Sequence, residues 1–592
     1  MPIIKLAPRP YRLSYIGLLA LTFTLNGCAH KALHAQVPEK AAGNIVTKAP
    51  DASLTAEFVY RYLIAEIAGQ RGDYATSGTV FYNLAKSDLS SPYSAMLAKR
   101  AAEIGAYGNM PSLAIPAIKL WAELDPKSTE AQKASTEMWI ATGNLKEAEP
   151  HLAQLLRQES TRAGGFLSLN NLLSRSKDKI ATLRLVQSLA KPYPELAEAH
   201  FAMAQAATIA NQDDLALKEI NLTEQLNASW PLVALFKGQL LEKQSPQAAI
   251  DFYRHFLDIN PEEIEVRIQL ARSLVNQKQF SEAKELFPAI LEQAKNNAVN
   301  TQFKNHAEVT AIVGLLAYQS ADYPSAEGYF KQALSLGMKS KDQLYIYLGQ
   351  TAEKLDQTET AIAWYQKITP TDAHYLDAQI NLANLIALTQ STDKAVDFLD
   401  VVEDLNTEQQ IIVIQAQASL LGKAQRHKEA FDLLEKAIKN LPNSPDLIYD
   451  YALAAERTQK FELMESELRR AMAIKPDFAA AYNALGYSFA DRNIRLNEAI
   501  TLIEKALKIA PNDYFMLDSL GWAHYRKGNL DQALRYLQQA YNTSQDPEIA
   551  AHLGEVLWKK GQHEQAKKIW DDALISHPHN ETLINTANKF KS

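Results

Sequence analysis

Cys28 is the only cysteine in 592 residues, and the residues around it narrow what its thiol can do. A lone cysteine cannot close an internal disulfide, and it cannot build a thiolate zinc site. Before it come a basic start at Lys5, Arg9 and Arg12 and a short apolar run, residues 13–25 (LSYIGLLALTFTL), about as long as the core of a secretion signal. A membrane span needs about 20 apolar residues, and this run stops short of that. Other candidates for chemistry are few. There is no glycine-rich phosphate loop, no G-x-S-x-G elbow and no H-E-x-x-H pair. His577 and His579, on the final proline turn (SHPHN), come nearest to a metal pair, but without a third ligand beside them they read as a solvated cap. Aspartate and glutamate abound and are expected on helix exteriors, facing water. No catalytic residue, cofactor or metal site is expected, and the chain does not read as an enzyme.

The stretch Leu25-Asn26-Gly27-Cys28 resembles a bacterial lipobox, with an aliphatic residue three before the cysteine and a small one just before it, although Asn26 departs from the more usual small residue. The resemblance implies that the thiol receives a diacylglyceryl group, that residues 1–27 are removed as a signal peptide, and that the new amino terminus is acylated too. Several buried acyl chains hold a protein on a bilayer where one is marginal. Ala29, in place of aspartate, is similar to the sorting pattern that favours the outer membrane. Cys28 is therefore expected to be a lipid anchor. Loss of residues 1–27 removes three positive charges and no acidic one, which takes the net charge from −7 to −10. So acidic a chain disfavours nucleic acid, whose phosphates need lysine and arginine. Residues 28–52 are small, polar and proline-containing. They read as a lipidated flexible tether, with a root-mean-square span of about 25 to 30 Å.

The elements that follow are found by looking for self-similarity. From FKQALSLG, KKIWDDALISHP and IEKALKIAP, a small residue recurs with a bulky one four places later. The marker positions are Ser77, Ala114, Ala148, Ala181, Ala216, Ala249, Ala283, Ala326, Ala361, Ala395, Ala430, Met464, Ala499, Ala533 and Ala566, at a period of about 34 broken by one step of 43. A second small residue lies 12 positions earlier in most units, as at Ala65, Gly314, Gly349, Gly521 and Gly554. Two helices cross closely only where neither carries a large side chain, so the pair implies a helical hairpin. Glycines such as Gly72, Gly143, Gly528 and Gly561 sit at the turn, and prolines such as Pro126, Pro261, Pro442 and Pro511 end the second helix.

Stretches such as AYNALGYSFADRNIRLNEAITLIEKALKIAPND and LDSLGWAHYRKGNLDQALRYLQQAY resemble tetratricopeptide repeats. The expected fold is all-α, a right-handed α-solenoid of about fifteen helical hairpins with a long inner groove. The units around Leu169 and Lys237 lack the small residue of the first helix. Residues 53–300 are expected to form an N-terminal array and residues 301–592 a C-terminal array with a capping helix. The insert at residues 292–306 (EQAKNNAVNTQFKNH) is expected to lengthen a helix or form a loop between them.

Aromatic residues fall into two sets. Tyr329, Phe330, Trp364, Tyr365, Tyr536 and Trp570 lie in second helices, where packing between hairpins is expected. Tyr487, Trp522, Tyr525 and Trp558 lie on first helices, at positions that in the resembled family line the inner groove, and they are the candidate partner-binding residues. The first repeat, FVYRYLIAEIAGQRGDYATSGTVFYNLAKSD followed by LAKRAAEIGAYGN, looks like that of long outer-membrane TPR lipoproteins of Gram-negative bacteria. That resemblance implies an adaptor facing the periplasm. Its partners would be a carboxyl-terminal processing protease and the peptidoglycan hydrolases that the protease degrades. The alternatives are a scaffold in exopolysaccharide export or in outer-membrane protein assembly.

Overall fold

The computed structural model describes residues 55–296 and 305–591. Over them the chain is all-α, with thirty-one α-helices, one short 3-10 turn and no strand among the described residues. Cys28, the expected signal peptide and the expected tether to residue 52 lie outside the described residues, as do residues 297–304 of the insert. The helices form an α-solenoid of successive hairpins. The chain divides into two compact units, with the division after Met338.

One hairpin shows why the period reads as it does. Asp546 caps α29 (Pro547–Lys559) by accepting the N–H of Glu548 at 2.8 Å, and Pro547 takes the first helical position, where no N–H is needed. Gly561, at φ +80°, turns the chain into α30 (His563–Ser576). That helix buries Ala566, Trp570 and Ala573 on one face. The Trp570 indole lies over Gly554, where an added Cβ would come within 2.0 Å of Nε1. The small residue of the first helix is thus the seat of the bulky residue four places after the marker. All fifteen markers stand in second helices, and all are buried except Ala181, which is half-buried. The last helix, α31 (Glu581–Lys591), closes the stack by burying Leu583 and Ala587.

The two irregular units resolve differently. In the unit around Lys237 the small residue is present but displaced by one: Gly238 of α11 (Pro231–Gln244) lies under Tyr253 of α12 (Pro246–Ile259), and a Cβ there would meet its ring at 2.0 Å. The shift follows from a linker of a single residue, Ser245, between the helices. In the other unit Leu169 is a true substitution. Its side chain is buried, and α7 (Glu159–Leu172) and α8 (Lys179–Ala190) do not form the close pair seen elsewhere. Each packs on α6 (Leu145–Leu156) and α9 (Ala197–Ile209) instead.

The insert does lengthen a helix: α14 runs Phe280–Asn296, 17 residues against 13 or 14 for its neighbours. It packs directly on α15 (His306–Gln319), so the N-terminal unit extends through α16 (Tyr323–Ser335), one hairpin beyond residue 300.

Candidate partner-binding surface

Within the C-terminal unit, first helices stack on one another: α25 (Ala479–Asp491) on α27 (Tyr514–Arg526), and α27 on α29. They bring three of the four candidate aromatics, Tyr487, Trp522 and Tyr525, near one another, together with groups that the sequence did not single out. Tyr487 and Trp522 are covered by neighbouring helices and keep only 7% and 6% of their surface. They are part of the wall rather than exposed anchors. Tyr525 and Trp558 are half-buried. Trp558 stands apart from the other three, against Trp570, His563 and Phe590 at the capping end. In second helices Phe330, Tyr365 and Trp570 are fully buried, while Tyr329, Trp364 and Tyr536 are half-buried.

The Trp522 ring stacks on the His552 imidazole, with centroids 4.2 Å apart and planes inclined by 20°. His552 Nδ1 lies 2.9 Å from the Asp518 carboxylate, which joins α27 to α29. Burial alone would push the His552 proton off. The charge and hydrogen bond of Asp518, with Glu548 and Glu555 nearby, more than offset that and raise its pKa. The Tyr525 hydroxyl donates to Glu555 at 2.9 Å, and Lys589 of the capping helix reaches the same oxygen at 3.2 Å. Burial first, and then Glu555, raise the tyrosine pKa.

Asp518 and Glu555 are buried, which corrects the expectation that the acidic side chains stand on solvated exteriors. Asp491, at the end of α25, and Glu456, near the end of α23 (Pro445–Arg457), are half-buried, and burial raises the pKa of both. Among the described residues neither makes an ion pair; the Trp522 indole N–H lies against Asp491 and the Ser488 hydroxyl against Glu456, each favouring the ionised form. The one signal that could have found these groups is their offset from the small residue of the first helix. Glu555 follows Gly554 directly, as Trp522 follows Gly521; Glu456 follows Ala452 by four, as Tyr525 follows Gly521.

His577 and His579 are exposed. Among the described residues no group of three or more histidine, cysteine, aspartate or glutamate side chains is placed to hold a metal ion, and no helix is long and apolar enough to cross a membrane.

Tetratricopeptide-repeat models match residues 240–301, 314–375 and 519–581, so such repeats are present in this chain. The chain is similar to a TPR repeat-containing protein of Pseudomonas aeruginosa, at 29% identity over 552 residues, covering 91% of this chain and 90% of that protein. It is also similar to the cellulose synthase operon protein C of Pseudomonas fluorescens, at 23% identity over 78% of this chain and 41% of that protein. Among solved structures, yeast Tom70 aligns at a TM-score of 0.39 and 15% identity, over 73% of this chain and 96% of that one. The helical hairpins and the matched models agree on the class: an α-solenoid that carries tetratricopeptide repeats.

Proposed function

We propose that this chain is a non-catalytic adaptor held at the outer membrane by lipid on Cys28, facing the periplasm. Its partners on this reading are a carboxyl-terminal processing protease and the peptidoglycan hydrolases that the protease removes. The observation that carries the adaptor reading is the extent of the array: hairpin helices account for the described chain from Ala56 to Lys591. A solenoid of this kind offers long surfaces made from many repeats, suited to holding two proteins at once. The lipobox at residues 25–28 supports the anchor, and the likeness of the first repeat to those of outer-membrane TPR lipoproteins supports the choice of partners.

The test is a crosslinked pull-down of the full lipoprotein from its own envelope, read by mass spectrometry, with Cys28→Ala as control. Recovery of the protease together with cell-wall hydrolases is the expected result, and Cys28→Ala should release the protein from membranes without acyl label. Recovery of export components without protease would favour the second reading, a scaffold in polysaccharide export. That reading is supported by the similarity to a protein named for a cellulose synthase operon. Recovery of barrel-assembly components alone would overturn both.

A further inference from the structure

The first hairpin exposes a set of residues that other repeats bury. In α9, α15, α27 and α29 the residues five and two places before the small residue, and two places after it, are all buried. Examples are Val309, Ile312 and Leu316 around Gly314, and Ile549, His552 and Val556 around Gly554. Each of those helices packs on helices of the hairpin before it. The equivalent residues around Ala65 in α1 (Ala56–Gln70) are Tyr60, Leu63 and Ile67, and they are 64%, 53% and 47% exposed. Val59 beside them is also exposed. Ala65 itself is fully buried and α1 packs on α2 (Tyr74–Ser87), so the hairpin is formed in the usual way. What differs is that no described helix precedes α1.

A terminal helix that faces water needs polar side chains on its outer side, because a solenoid stays soluble only with polar ends. The last helix has them: α31 buries Leu583 and Ala587 and leaves Glu581, Asn585, Asn588 and Lys589 exposed. The outer stripe of α1 is the opposite. Val59, Leu63 and Ile67 recur at intervals of four with Tyr60 alongside, and none of them is charged. A contiguous apolar stripe on an exposed helix marks an interface. Its charges select the occupant. The stripe is symmetric about Leu63, with Glu57 in the first turn of the helix and Arg71 at its C-cap. A second α1 laid antiparallel across a two-fold axis at Leu63 sets Leu63 on Leu63, Val59 and Tyr60 on Ile67, and Glu57 beside Arg71 twice over. A parallel pair would set like charges together at both ends.

We propose that α1 is a homodimerisation helix, through which two copies of this chain pair antiparallel by Val59, Tyr60, Leu63 and Ile67, with Glu57 of each copy against Arg71 of the other. The second copy takes the side that a preceding hairpin covers in other repeats. The inference goes beyond the adaptor reading and does not depend on it: two joined copies present every binding surface twice, whatever the surfaces hold.

The test places a thiol on the two-fold axis of the full chain in its own envelope. A short bismaleimide should couple Leu63→Cys into a product of twice the chain mass. The wild type, with Cys28 alone, and Ile575→Cys, at an exposed site on α30, should give none. Sedimentation equilibrium of the full chain in density-matched detergent should then give a dimer for the wild type. Leu63→Glu, at a position the single chain leaves exposed, should weaken that dimer about a hundredfold by burying an unpaired charge. Glu57→Arg should weaken it about tenfold, and Glu57→Arg/Arg71→Glu should restore it, because the reversed charges again meet their opposites. A stripe covered by residues before Thr55 of the same chain, or by another protein, leaves Leu63→Cys uncoupled and the wild type monomeric, and either result overturns the inference. So does coupling of Ile575→Cys as strong as that of Leu63→Cys, or a dimer indifferent to Leu63→Glu. The adaptor reading fails separately, if crosslinking of the wild type in its envelope captures no partner protein.

Discussion

Two buried histidine–carboxylate pairs, one in each unit, show how the same chemistry serves different ends. In the N-terminal unit His200 of α9 lies 2.7 Å from Glu219 of α10 (Asp213–Leu226), and its other ring nitrogen bonds the Pro194 carbonyl oxygen at 2.9 Å. That pair staples the two helices of one hairpin, and both ring nitrogens are taken up by it. In the C-terminal unit His552 and Asp518 belong to first helices of successive hairpins, 34 residues apart. The imidazole stacks on Trp522 and stands among further carboxylates. The first pair closes a repeat; the second joins repeats at a face that still holds unpaired charge. A buried pair is therefore no guide to function until the groups around it are counted.

The largest expected effect tests that contrast at its root. Removing either histidine leaves a buried carboxylate without its partner, so His200→Ala and His552→Ala should each cost about 3 kcal/mol in chemical denaturation. Adding Asp518→Asn to His552→Ala should restore most of the loss; if it does not, the pair is not what holds α27 to α29. Partner capture should suffer in the His552 variant and persist in the His200 variant once both are folded. The His552 contribution also has a sign in pH. Its folded pKa is raised, so the stabilisation is fully present below the ordinary histidine range and fades as pH rises through the folded value.

A smaller effect sharpens the comparison by showing where the units are alike. Gly238→Ala and Gly554→Ala both force a Cβ against a ring, and each should cost about 1–3 kcal/mol by overpacking. Equal losses would confirm that the steric rule of the hairpin is common to both units, and a tolerated substitution at either would break it. Below that lies Asp491→Asn. The folded pKa of Asp491 is raised by burial, so its contribution is present below the ordinary aspartate range and lost as pH rises through the folded value. Asparagine removes that loss. The variant should match the wild type in acid and exceed it by roughly 0.5–1 kcal/mol at neutral pH, the figure discounted for partial exposure, in urea titrations at the two conditions. The smallest effect is at a turn. Ala321 holds φ +57°, which a side chain disfavours, so Ala321→Gly should gain about 0.5 kcal/mol, readable as a small rise in melting temperature.

Much of the fold was legible because each hairpin repeats a local steric bargain. The marker at Ala566, the glycine 12 before it and the tryptophan four after it form one contact, and all three show in the sequence. The turn was legible only in part. Gly72, Gly143, Gly528 and Gly561 announce a left-handed residue, yet Lys278, Ala321, Gln425 and Gln459 adopt the same conformation with no such signal. There the packing of the two helices on each side imposes the turn on whatever residue falls in it. Gly238 escaped notice for a related reason: the linker before Pro246 is a single residue where most hairpins have three, so the spacing slipped by one while the contact survived. The candidate face was less legible still. Tyr487, Trp522 and Tyr525 were visible as aromatics in register, but Glu456, Asp491, Asp518 and Glu555 resemble any other acidic residue on a helix, and their burial is set by the repeat stacked against them.

By itself the sequence determined the helical hairpin, its period of about 34 and the complementarity of small and bulky residues, because these are contacts between neighbours within one repeat. It also carried the stretch ending at Cys28 that resembles a lipobox, the linear pattern on which the proposed anchor rests. Tertiary structure alone decided which charges lose water, since desolvation of a first-helix carboxylate depends on how the next hairpin lies over it. It decided too that Trp522 is a wall and His552 a joint: both roles arise only when helices a full repeat apart in sequence are brought into contact.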